Sequence, residues 1–271
     1  MKYGRNQAAT AKPKTSFYIR LAGNGGRVGG GDYQEVGGND MITVRNLTML
    51  LTMGLSLQLF GQSIVKDTTF LFKHTVDGEL QTIFIDNNTG SKAFDKISYF
   101  TFQFFDKQSY KYSTDYFKEN KLTLSKVKPV IHWVNWVTLK QYKGKFYAYH
   151  PCDFLYHFRQ SVNDTTLIDW TGEGPVANKI ISQNRIDDKT FEFKLTGVYD
   201  LDRTLTVHII DTKKGIAVFE QTTNGTDKKY YLMIAADKIK TVPIIVNHCP
   251  TQKQSELDFD IPDFKTLLPT K

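Results

Sequence analysis

Gly144–Pro175 reads GKFYAYHPCDFLYHFRQSVNDTTLIDWTGEGP. Three runs in it have strand character, rich in aromatic and β-branched residues. Lys145–His150 and Asp153–Gln160 are separated by Pro151, which cannot donate to a ladder. Thr165–Trp170 follows after Ser161–Asp164, a connection suited to an antiparallel pair. Thr171-Gly172-Glu173-Gly174-Pro175 then makes a tight turn. The stretch predicts antiparallel strands with a mixed polar and aromatic patch at one end.

Strand signals extend on both sides. Asp67–Val76 and Leu80–Asp86 flank Asp77-Gly78, a hairpin turn signal. Ile97–Phe105 reads as a strand that is aromatic on both faces. Asp106–Asn120 has the spacing of a helix, and Leu122–Val127 and Val130–Lys140 follow as strands. Lys189–Thr196, Arg203–Asp211, Gly215–Thr222, Lys228–Ile234 and Val242–His248 complete the set, and a polar, acidic tail after Cys249 wraps the surface. About twelve short strands with almost no helical pattern between them predict an all-β, mostly antiparallel domain over residues 63–271. The expected architecture is a barrel with one side helix, a β-sandwich being the alternative. Closure would hide long aromatic edges that otherwise invite aggregation. The opening Gly144-Lys-Phe-Tyr-Ala-Tyr resembles the Gly-x-Trp opening of lipocalins, but without the Trp and in mid-chain, so no lipocalin residue role is carried over.

The chain has 271 residues, 40% hydrophobic and 13% aromatic, and a formal charge of +7. Residues 1–62 hold seven of the 35 Lys/Arg and three of the 28 Asp/Glu, leaving an excess of three positive charges in residues 63–271. That balance does not make a phosphate-binding face, so nucleic acid is excluded as a partner. Residues 1–40 are glycine-rich and without periodicity, and read as disordered or as a mis-assigned extension before Met41. Met41–Gln62 carries Arg45, the apolar run Leu47–Phe60 and small residues after it, the make-up of a secretory signal. The run is too short for a membrane span. Its ending, Phe60-Gly61-Gln62-Ser63, resembles signal peptides of exported Bacteroidetes proteins. That resemblance implies a periplasmic, cell-envelope or secreted location with no stable membrane span after signal removal.

Two cysteines, Cys152 and Cys249, suit a disulfide in an exported chain. Two buried thiols, or a zinc site with His150 and His248, are the alternatives. If Asp153–Gln160 is a strand, Asp153, His157 and Arg159 share one face. Trp136 in His132-Trp-Val-Asn-Trp136 suits stacking on a ligand, or a core. Asp169, Trp170 and Glu173 border the glycine turn. There is no nucleophile elbow, zincin motif, P-loop or EF-hand loop, and neither a cofactor nor, with the cysteines paired, a metal is expected. The expected role is therefore binding of a small apolar or sugar-like ligand, or of a protein partner, with Asp153, His157, Trp170, Glu173 and Trp136 as the site. One alternative is a glycoside-type hydrolase using acids of the 169–173 loop with His157. Another is an envelope interaction protein without a pocket.

Overall fold

A computed structural model describes residues 67–198 and 202–268. The segments read as an extension (1–40) and as a secretory signal (41–62) lie outside the described residues. In chain order the elements are β1 (Thr68–Val76), β2 (Glu79–Asp86), α1 (Lys92–Ile97), α2 (Phe104–Glu119), β3 (Asn135–Tyr142), β4 (Lys145–His150), β5 (Arg159–Val162), β6 (Thr166–Thr171), β7 (Gly174–Arg185), β8 (Thr190–Gly197), β9 (Arg203–Asp211), β10 (Ile216–Thr223), β11 (Asp227–Ala235), β12 (Ile244–His248) and α3 (Phe264–Leu267). Single 3₁₀ segments occur at Phe154–Tyr156 and Ala236–Thr241.

From β5 to β11 the chain runs as an antiparallel meander, each strand paired with the next. β3 then fits between the two ends, pairing with β11 on one edge and β5 on the other, so eight strands close into an antiparallel barrel. Closure removes the sandwich alternative. The remaining strands extend the sheet outward from β3: β4 pairs with it, β12 runs parallel to β4, and β2 and β1 follow antiparallel.

β3 makes both arrangements possible by sharing one edge between two strands. Asn135, Trp136 and Val137 pair with Ser161, Gln160 and Arg159, whereas Leu139–Tyr142 pair with Ala148–Lys145. Between them β3 advances by one residue, Thr138, whose N–H (3.3 Å) and hydroxyl (2.7 Å) both donate to Phe158 O. The chain spends Pro151–Phe158 leaving one sheet and entering the other. β3 and β4 are joined by Lys143-Gly144, both at positive φ (49° and 73°), the geometry of a two-residue hairpin turn.

Side-chain alternation divides the apolar residues between two faces of the barrel wall. Inward go Trp136, Leu167, Phe193, Leu205, Val207, Phe219 and Met233, which fill the barrel. Outward go Val137, Leu139, Val218, Leu232 and Ile234, which meet Phe94 and Ile97 of α1 and Ile244 of β12 in a second core. α2 lies on β7, where Ser113 is buried and its hydroxyl accepts from Ala177 N at 3.2 Å.

Three local expectations are corrected. Ile97–Phe105 is not a strand: α1 ends at Ile97 and the following segment lies on the barrel wall, with Phe100 and Phe102 packed on Trp170 at ring distances of 5.6 and 4.9 Å. Its aromatic content reflects packing, which strand propensity cannot separate from pairing. Asp153–Gln160 is a strand only from Arg159. The Asp153 carboxylate accepts from Leu155 N at 3.0 Å and starts a 3₁₀ turn, a local bond that competes with extension. Leu122–Val127 forms no strand, and its Val127 N–H donates to Asp164 O.

Cys152 and Cys249 are bonded, with Cα atoms 5.8 Å apart and a sequence separation of 97. The bond ties the start of the Pro151–Phe158 segment to the end of β12 and removes both sulfurs as metal ligands. Loop-closure entropy for such a span is worth about 4–5 kcal/mol at most. Replacing both cysteines by serine is expected to lower the guanidinium unfolding midpoint markedly against the oxidised parent. Coincident unfolding curves would contradict a stabilising role.

Candidate functional site

At one end of the barrel the inward alternation turns polar. β5 contributes Gln160, β6 Asp169, β7 Asn178, β9 Arg203 and β10 Gln221. Gln160, Asn178, Arg203 and Gln221 are all buried. Arg203 Nη2 donates to Asp169 Oδ2 at 2.6 Å, and its Nη1 donates to Gln221 Oε1 at 3.0 Å. Gln160 Nε2 donates to Asp169 Oδ1 at 2.7 Å, and Asn178 Nδ2 donates to Asp169 Oδ2 at 3.0 Å. The side chains of Arg203 and Asp169 are 3% and 13% exposed. A buried ion pair is worth little net, because desolvation offsets the attraction, but loss of one partner strands a charge. Two atoms of the cluster, Arg203 Nε and Gln160 Oε1, have no hydrogen-bond partner among the described residues.

The cluster borders a cavity of about 230 Å³ that Phe158, Asp169, Asn178, Arg203, Lys229 and Tyr231 help to line. The Phe158 and Tyr231 rings lie 5.4 Å apart on one wall. A second recess of about 630 Å³ lies outside the barrel, between α2 and the β6–β7 turn, bordered by Tyr112, Leu155, Glu173 and Pro175.

The residues singled out from sequence occupy different places. Trp136 is 1% exposed in the barrel core, its Nε1–H donating to Trp133 O at 2.9 Å. Trp170 is 3% exposed on the outer wall, donating to Ser161 Oγ at 2.8 Å, under Phe100 and Phe102. The Arg159 guanidinium covers its ring and donates to Tyr99 O. Burial lowers Arg159 to about 10, opposed by Asp106, so it remains a cation at neutral pH. Asp153 pairs with Lys253, and Glu173 is exposed on the β6–β7 turn. That turn does reach the 3₁₀ segment: a Cβ at Gly172 would stand 2.4 Å from Leu155 Cα. Asp169, read as half of a carboxylate pair, instead points into the barrel and accepts from three donors.

Sequence reasoning passed over Arg203, Gln160, Asn178 and Gln221. A signal was present. In β9 the inward residues are Arg203, Leu205, Val207 and Ile209, and in β10 they are Ala217, Phe219 and Gln221. A polar side chain in phase with an apolar series is aimed at the core, and such residues on neighbouring strands mark one layer. No family model, curated protein or solved structure matches the chain. The described residues contain no grouping of three or more His, Cys, Asp or Glu arranged to hold a metal ion.

His157 is 6% exposed, and its Nε2 lies 2.7 Å from Ile97 O. A carbonyl only accepts, so Nε2 carries the proton. Burial, helped by the nearby Arg159 charge and opposed by the Ile97 hydrogen bond, lowers its pKa to about 4. Above pH 6.5 the imidazole is neutral whether the chain is folded or not. As pH falls from 6.5 towards 4 the unfolded chain takes up a proton that the folded chain refuses, so stability is lost over that window. The full effect is about 3 kcal/mol at 1.36 kcal/mol per pH unit. His157→Gln should therefore close on the parent in stability as pH drops from 7 to 4 in urea titrations. Parallel pH profiles would show that His157 does not supply this sensitivity.

Proposed function

We propose that the protein is a binding barrel that seats a small polar, sugar-like molecule at the Arg203 end of its interior. One observation carries this reading. The barrel is filled by side chains along most of its length, yet at one end a buried, charged layer on five strands adjoins a cavity. A charge pair inside a barrel costs desolvation that an apolar layer would avoid, and convergent polar groups at the end of a barrel suit a ligand mouth. The filled core disfavours a long apolar ligand. The hydrolase reading loses support because both Asp169 oxygens are already engaged, leaving no second carboxylate beside Glu173 in that loop. Export to an oxidising compartment is part of the proposal and is supported by the disulfide, which persists in such compartments. No helix among the described residues is long and apolar enough to cross a membrane.

A protein partner remains a second role, favoured by the exposed Phe104, Phe105, Tyr112, Leu155 and Tyr156 on α2 and the 3₁₀ turn, since exposed apolar clusters mark interaction surfaces.

The test is an amide and side-chain NMR titration with a panel of monosaccharides, hydroxy acids and amino acids. Binding at the mouth shifts the Asn178 and Gln221 side-chain amides and the Arg203 guanidinium. The paired change Arg203→Met with Asp169→Leu should abolish those shifts while the barrel stays folded. Arg203→Met alone should cost about 3–5 kcal/mol by stranding Asp169. If every member of the panel leaves these signals unmoved, the mouth is not a ligand seat.

A further inference from the structure

Resting on that reading, we infer that the occupant of the barrel mouth is a carboxylate of monosaccharide size, such as a sugar acid. Among the described residues, the ionic groups lining the cavity are Asp169, Arg203 and Lys229, one acid against two bases. The acid is spent. Its two oxygens accept from Gln160, Asn178 and Arg203. The bases are not. Arg203 keeps Nε–H without an acceptor, and Lys229, exposed on β11, has no ion-pair or hydrogen-bond partner among the described residues. Among the ionic groups of the described residues, then, the cavity carries one unbalanced positive charge, and the buried Arg203 Nε–H is an unpaired donor beside it. An anion meets both. Glu173 and Asp202 stand on turns at this end and Asp227 opens β11 there, but none of them lines the cavity.

Two further features narrow the anion. The volume, about 230 Å³, is below the range of roughly 300–1,000 Å³ common for drug-sized ligands, so the ligand is about one ring in size. The Phe158 and Tyr231 rings give one wall an aromatic face, which favours a molecule with a C–H surface over a bare inorganic ion. A guanidinium buried at the base of the cavity and an ammonium at its rim would then hold the carboxylate.

Calorimetry with glucuronate, gluconate, glucose, glucosamine and inorganic phosphate tests this in low-salt buffer at pH 7. Glucuronate or gluconate is expected to bind at least tenfold more tightly than glucose, glucosamine or phosphate. Lys229→Gln should weaken carboxylate binding about fivefold or more without moving the unfolding midpoint, because Lys229 is exposed. Equal affinity for glucose and glucuronate would overturn the carboxylate assignment and leave the polar binding site standing. Phosphate binding as tightly as glucuronate would overturn the ring-sized ligand. Binding of none of the five overturns this assignment, and the wider NMR panel then decides whether the mouth binds anything.

Discussion

The division of one edge of β3 between two strands is the constraint on which this structure rests. Val137 pairs with Arg159 and Leu139 pairs with Ala148, so a single residue separates the strand that closes the barrel from the strand that starts the flanking sheet. The intervening segment cannot stay in the ladder and must be held elsewhere. It is held on several sides. Cys152 is bonded to Cys249, and Glu256 of the tail accepts from Asp153 N at 2.9 Å and from the Tyr149 hydroxyl. His157 reaches Ile97, and Gly172 abuts Leu155. These anchors fix where β5 begins, and so fix the register of the meander that follows.

Register in turn decides what the barrel contains. Because strand side chains alternate with period two, a slip of one residue would turn Gln160 outward and Arg159 inward. The observed register sends Arg159 outward onto Trp170 and Phe100 and sends Gln160 inward to Asp169. The same parity places Asn178, Arg203 and Gln221 in one inward layer. The functional reading of the mouth therefore depends on the packing of a segment on the opposite side of the wall.

Much of the architecture was legible in the sequence, because turn chemistry and alternation are local. Asp77-Gly78 marks its hairpin, the strands from Thr166 to His248 other than β7 follow their hydrophobic patterns, and the lone pair of cysteines fits the disulfide. β7 was not read from the sequence, where Gly174-Pro175 reads as the end of a turn. What escaped was non-local. Tyr99–Phe102 has the composition of a strand, but its rings are used to cover Trp170. Phe154–Tyr156 is apolar enough for a strand, but the cap at Asp153 and the anchors on either side bend it into a 3₁₀ turn. The polar layer escaped for another reason. Asp169 and Trp170 were read together because they are adjacent, yet adjacent residues on a strand face opposite ways. Trp170 joins the outer wall, and Asp169 joins an arginine 34 residues further along the chain.

The β3–β5 seam gives the most direct measurement. The bonds from Val162 N to Val134 O and from Thr138 N to Phe158 O set the pairing phase, so Val137 and Arg159 form a non-hydrogen-bonded pair whose Cα atoms approach to about 4.5 Å. Two-dimensional NMR on the folded protein should show a strong Hα–Hα cross-peak between Val137 and Arg159, and another between Asn135 and Ser161. The Trp136 and Gln160 amides, bonded across the seam, should exchange slowly with deuterium. Cross-peaks that pair Arg159 with Trp136 or Thr138 instead, or seam amides that exchange as fast as those of the turns, would contradict the closed barrel and the inward polar layer that follows from it.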